Sequence, residues 1–160
     1  MPFFFLSGAF VFAADRFSKW LVAHEMYLHQ DVPLVGDWVR LTYIHNAGAA
    51  FGLFQGSRIP LVVISILASA GVTWLALKRA HGYLQVLALG LILGGALGNL
   101  VDRLATGLVI DFINVGLGDH RWPVFNVADS AVTIGVLWLA LGVSRSEREQ
   151  RAPESTTDPA

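Results

Sequence analysis

The amino-acid sequence predicts a mainly α-helical integral membrane protein, with four transmembrane helices and a small β-sheet on their outer face. Three observations carry that prediction. Of 160 residues, 54% are hydrophobic and only 14% charged, with a mean hydropathy of +0.57, whereas soluble domains carry about one quarter charged residues. Four apolar stretches each approach the roughly 20 residues a helix needs to cross a hydrocarbon core. Between the first two, Val39, Leu41 and Tyr43 alternate with Arg40 and Thr42, the period of a half-buried strand.

The spans run from about Phe3 to Ala23, Ile59 to Leu77, Leu84 to Leu100 and Val124 to Val143. No basic segment precedes the first, and cutting after Ala14 would place Phe12 where a small residue is wanted. The stretch is therefore expected to stay as a helix and not to be removed as a signal. "KRAHGY" joins the second and third spans as a basic hairpin, and "SRSEREQRAPESTTDPA" follows the fourth. The preference of Lys and Arg for the cytoplasmic side puts both, and hence both termini, in the cytoplasm. Residues 1–144 are read as one membrane-embedded domain. The 145–160 tail has almost nothing apolar to bury and is expected to be disordered.

Composition also narrows function. A net charge of -1 and the lack of a basic patch interleaved with aromatics leave nothing to hold nucleic acid. With no cysteine, disulfides, thiol nucleophiles and thiolate metal sites are excluded. His24, His29, His45, His81 and His120 are scattered, without the i,i+4 pair of a zinc helix. Ser65, Ser69 and Thr73 lie in an apolar helix with no histidine beside them and are expected to bond to its backbone.

On the outer side, "LVIDFINV" could be a second strand or the extended exit of the third helix. "NAGAAFGLFQGS" mixes small residues with Phe51 and Phe54, suiting a segment that dips into the interface. Trp20, Trp38 and Trp122 are expected near the outer headgroups.

The polar residues of the spans converge on one depth. Gly90, Gly94 and Gly98, four apart on the third helix, permit close helix packing. Just beyond them stand Asn99, Asp102 and Arg103. Asp15 and Lys19 are spaced for an i,i+4 ion pair on the first helix, and Asn126 and Asp129 open the fourth. An unpaired charge at membrane depth costs about 2.5 to 3.5 kcal/mol even on the lenient insertion scale, so these groups are expected to share one polar pocket. Asp15 has Lys19 as a local cation and Asp102 has Arg103, whereas Asp111 and Asp129 have none. Two such carboxylates within hydrogen-bond reach cannot comfortably both ionise, and can act as base and acid on water and a carbonyl. Three other readings remain open. One is a structural network joining the helices; another is a lipid transferase holding a divalent ion on Asp102, Asp111 and Asp129; the third is a small transporter.

"DRFSKWLV", "HNAGAAF", "GNLVDRLATGLVIDFI" and "FNVADSA" occur in that order among the four spans. Together they resemble the lipoprotein signal peptidases, the type II signal peptidases of bacteria, over nearly the whole chain apart from the tail. The resemblance implies a fold of four helices with an outer, periplasmic sheet cradling substrate. It implies an inner-membrane aspartic endopeptidase that cuts prolipoproteins just before a diacylglyceryl-modified cysteine. Catalytic residues would be Asp111 and Asp129, with Asn99, Asp102, Arg103 and Asn126 orienting them or the scissile backbone. Asn46, Asp15 and Lys19 would line or brace the site. No metal or other cofactor is expected; the partners are lipid-modified prolipoproteins and membrane lipid, and the enzyme is expected to be a monomer. One departure is that Arg16 and Phe17 follow Asp15, where a polar pair such as Gln and Thr or Ser is more usual.

Overall fold

The computed structural model describes residues 1–48, 56–80 and 82–151, with side chains described as far as residue 141. The chain runs α1 (Pro2–Glu25), β1 (Asp31–Val35), β2 (Val39–Asn46), α2 (Arg58–Lys78), α3 (Tyr83–Ala105), β3 (Val109–Leu117), β4 (His120–Arg121) and α4 (Val127–Arg151). It is mainly helical, with one small antiparallel sheet. The expected interfacial dip at 49–55, and His81, lie outside the described residues.

α3 is the central element and packs against α1, α2 and α4. Its glycines allow this. A Cβ on Gly94 would strike the Gly8 carbonyl oxygen of α1, one on Gly90 would come within 2.6 Å of the Phe4 oxygen, and one on Gly95 within 2.8 Å of Val132 Cγ2 in α4. The expected stripe of Gly90, Gly94 and Gly98 packs toward α1, and Gly95, outside that stripe, opens a second face toward α4.

α2 and α3 are long and apolar enough to cross a membrane. α2 buries only Leu61, Ser65 and Ala76 and turns Ile59, Val63, Ile64, Ile66 and Leu67 outward, the pattern of a helix solvated by lipid. α1 carries Asp15, Arg16 and Lys19 within its length, and the apolar part of α4 is the shorter Val127–Leu141.

Helix ends depart from the apolar runs where polar groups take over. α3 continues past Leu100 to Ala105, because Asn99, Asp102 and Arg103 find partners and do not need to leave the helix. It stops at Gly107 (φ 82°), whose N–H bonds to the Arg103 oxygen at 3.2 Å while Arg58 donates to the Leu104 carbonyl. α4 begins at Val127, not Val124, because Asn126 and Asp129 form a reciprocal cap. Asp129 N donates to Asn126 Oδ1 at 2.9 Å and Asn126 N to Asp129 Oδ2 at 3.2 Å. At its other end α4 runs beyond the expected 144 boundary to Arg151. Glu, Gln and Arg in that stretch have good helix propensity.

The sheet order is β1-β2-β3-β4, antiparallel throughout. "LVIDFINV" is thus a strand and not merely an exit. The short edge strands β1, which contains Pro33, and β4 carry no alternation long enough to read in the sequence. Val22 of α1, Tyr43 of β2 and Phe112 of β3 form the apolar cluster that seats the sheet on the helices. The strands are also clasped by polar groups. Arg40 pairs with Asp31 and, at 3.1 Å, with Asp37; Arg121 donates to the Asp37 carbonyl at 3.0 Å and to Asn114 Oδ1 at 2.7 Å. Trp20, Trp38 and Trp122 are exposed at 56%, 62% and 59%, as residues facing lipid headgroups would be.

Candidate active site

Where the sheet meets the bundle, four elements deliver polar side chains to one place. β3 supplies Asp111, which sits opposite Ile44 of β2, so Asn46 lies diagonally across on the same face. Asn46 Nδ2 donates to Asp111 Oδ2 at 2.8 Å. The segment entering α4 pairs with β3 through Phe125 and Ile113, which carries Asn126 alongside; Asn126 Nδ2 donates to Asp111 Oδ1 at 2.6 Å. α3 contributes Asn99, whose Nδ2 donates to Asp129 Oδ1 at 2.8 Å. Asn126 Nδ2 also donates to Asn99 Oδ1 at 3.1 Å, so one asparagine links the surroundings of both carboxylates.

Behind these lies an ion cluster. Lys19 Nζ sits 2.9 Å from Asp15 Oδ2 and 2.8 Å from Asp102 Oδ2, and donates to Asn99 Oδ1 at 2.8 Å. Asp15 Oδ1 accepts the Ala128 N–H at 3.0 Å, near the N-terminus of α4, where a carboxylate is favoured by the exposed amides. Gly98 faces the Asp15 carboxylate, so the last glycine of the stripe makes room for a functional group.

Asp102 corrects a sequence expectation. It pairs with Lys19 and with Arg16, not with Arg103. Neighbours in a helix diverge by about 100°, so Asp102 and Arg103 cannot face one partner. Arg103 points to the other side, where Nη1 donates to Ser65 Oγ at 3.3 Å and the guanidinium lies in the field of Asp129, Asp111 and Asp102. Its buried Nε has no hydrogen-bond partner among the described residues. Ser65, Ser69 and Thr73 bond backward to helix carbonyls at 2.8 to 2.9 Å, as expected, although the role of Ser65 toward Arg103 was not foreseen. Arg16 was passed over too; its place three residues before Lys19 was the signal that could have found it.

Asp111, Asp129, Asn46, Asn99 and Arg103 line a cavity of about 1030 Å³ between β2, α2, α3 and α4. Its apolar wall includes Ile64 and Ile134, about half exposed on the outside of the bundle, so the cavity reaches the apolar flank between α2 and α4. Asp102, Lys19 and Asp15 stand behind the wall. Neither Asp111 nor Asp129 forms an ion pair among the described residues. Those residues also contain no grouping of three His, Asp or Glu placed to hold a metal ion.

Burial, and next the charge of Asp129, pushes the Asp111 carboxyl up from 3.8 to about 7, against the opposing hydrogen bonds of Asn46 and Asn126. The folded protein therefore holds a proton that the unfolded chain releases near 3.8. The stability this group contributes is complete below that value and is lost as pH rises through about 7. Thermal midpoints taken from about pH 5 to about pH 8 should fall more steeply for the wild type than for Asp111→Asn. Parallel curves would mean that Asp111 does not titrate in this range.

A carboxylate-lined cavity opening on the flank of a bundle with two membrane-length helices is the arrangement that known relatives of the chain help to place. A solved bacterial membrane enzyme, determined by the in meso method at 2.3 Å, matches with a TM-score of 0.89 and 28% identity, covering 98% of this chain and 96% of that one. A second, solved by the same method at 1.9 Å, has a TM-score of 0.81 and 30% identity over 89% of this chain and 93% of its own. The family model described as Signal peptidase (SPase) II matches residues 8–145. The lipoprotein signal peptidase of Syntrophus aciditrophicus strain SB is 37% identical over 155 residues, 92% of this chain and 95% of that one. That of Symbiobacterium thermophilum is 43% identical over 140 residues, 86% and 91% of the two chains. The chain belongs to the signal peptidase II family, and is thus a peptidase.

Proposed function

We propose that the protein is an aspartic endopeptidase that removes signal peptides from diacylglyceryl-modified prolipoproteins, with Asp111 and Asp129 as its catalytic pair. The observation that carries this is their placement: two carboxylates on one cavity wall, each held by amide donors and neither matched by an ion pair. Removal of signal peptides from prolipoproteins follows from the family; the aspartic chemistry is inferred from the site.

With one proton shared by the pair, the ionised carboxylate takes a proton from water as its oxygen attacks the scissile carbonyl carbon. The protonated partner gives its proton to the carbonyl oxygen. As the diol collapses, one of its O–H protons returns to the carboxylate that had protonated the carbonyl oxygen, the C–N bond breaks, and the proton held by the base goes to the departing amine of the cysteine residue. Asn46, Asn99 and Asn126 orient the carboxylates, while the Nε–H of Arg103, unpartnered among the described residues, can bind a backbone carbonyl of the substrate. Asp102, Lys19 and Asp15 brace this arrangement from behind.

The cavity's apolar opening between α2 and α4 suits a substrate that arrives within the bilayer. Its lipid chains can stay in hydrocarbon, and their binding energy can position the peptide. The same reading has all four helices crossing the bacterial inner membrane as the spans of one domain. Both termini are then cytoplasmic, the pair lies near the periplasmic face, and a monomer suffices. Purified protein should cleave a diacylglyceryl-modified prolipoprotein at an unreduced rate in excess EDTA. Loss of cleavage in EDTA that a divalent ion restores would replace this mechanism with a metal-dependent one.

A further inference from the structure

The chemistry so far leaves Arg16 without a role, yet its guanidinium pairs with Asp102 Oδ1 from a position 34% exposed, against 5% for Asp102. Behind it, Lys19 is fully buried between Asp15 Oδ2 and Asp102 Oδ2. Both oxygens lie within hydrogen-bond distance of the ammonium, at 2.9 and 2.8 Å. The third contact of Lys19 goes to the neutral Oδ1 of Asn99, at 2.8 Å. Two carboxylates facing one ammonium would draw it away from a neutral amide. Arg16 supplies the second positive charge and brings the four-residue cluster to neutrality.

The Lys19 bond also decides which way Asn99 faces. Turning that amide over would set its NH₂ against an ammonium, so Oδ1 stays on Lys19 and Nδ2 falls on Asp129. We infer that Arg16 is a positioning residue. By matching Asp102 it leaves Lys19 on Asn99, and so keeps the Asn99 amide donating to Asp129. The inference rests on Asp129 being one of the catalytic pair.

The test compares wild type, Arg16→Gln and Arg16→Lys as full-length protein, with rates normalised to folded enzyme and Asp129→Asn as reference. The charged groups facing the pair are Arg103 from α3 and Lys19 from α1, with Asp102 and Asp15 behind and His45 of β2 on the cavity wall. Arg16 stands behind Asp102, and removing its positive charge makes the pair harder to ionise. Arg16→Gln should lower kcat about 10- to 100-fold with little change in KM, and move the pH–rate profile upward. Arg16→Lys should recover most of both. An unchanged kcat and profile in Arg16→Gln would overturn the inference while leaving the catalytic pair intact. So would a Gln variant that fails to fold beside a normal Lys variant, since Arg16 would then be a folding clamp. Substantial cleavage by Asp129→Asn would instead remove the catalytic reading itself.

Discussion

Asp111→Asn and Asp129→Asn are each expected to slow prolipoprotein cleavage by about 10²- to 10⁴-fold, the range that proton transfer by a positioned side chain contributes. Asparagine keeps the shape of the side chain but can neither take a proton from water nor supply one to a carbonyl oxygen. At Asp111 the substitution also sets an NH₂ against Asn46 or Asn126, both of which donate. At Asp129 the donors are the Asn99 amide and the Asn126 N–H. Some local rearrangement of those amides should follow. Substrate affinity should nevertheless persist, because the apolar wall and Arg103 are untouched; it is measured as binding of an uncleaved lipidated peptide to each variant. Near-normal cleavage by either one would take that carboxylate out of the mechanism.

Lys19→Met should produce the largest loss of stability, about 3 to 5 kcal/mol, as expected when one partner of a buried ion pair is removed. Asp15 and Asp102 would lose the cation they share in a buried site, and Asn99 would lose the donor that orients it. Arg16 relieves Asp102, the carboxylate it pairs with among the described residues, and not Asp15. Unfolding of purified protein in detergent checks this, with Asp15→Asn added to Lys19→Met. The second substitution removes one stranded charge and should recover part of the loss. A stability for Lys19→Met within about 1 kcal/mol of wild type would mean that the cluster contributes little.

Much of the architecture could be read from the chain because the membrane imposes a coarse rule: long apolar runs become helices. α2 matches its run to within a residue at each end, Arg58–Lys78 against Ile59 to Leu77. Where hydropathy gives way to polar chemistry, the rule loses the boundary. α3 keeps its helix through "GNLVDRLA" because the bundle satisfies those groups, and α4 starts where Asn126 and Asp129 cap each other. β2 announced itself by alternation, whereas β1 and β4 are stabilised by pairing with their neighbours and carry no signal of their own.

The site residues stood out for a similar reason, since a carboxylate or amide in an apolar helix demands a partner. Their partners were less legible. Asp102 and Arg103 are adjacent in sequence and yet serve opposite sides of α3, one facing Lys19 and Arg16, the other the cavity and Ser65. Which side each takes depends on how α1 and α2 pack around α3, and no spacing within the α3 segment encodes that.

The most direct test of the catalytic pair is cleavage by Asp111→Asn, Asp129→Asn and the double variant, each shown to be folded and to bind lipidated substrate. If the two carboxylates share one proton and act as a unit, the double variant should be no slower than either single one by more than a small factor. Losses that multiply, or a single variant that retains most of its rate, would contradict that account and leave the two aspartates with independent or merely structural roles.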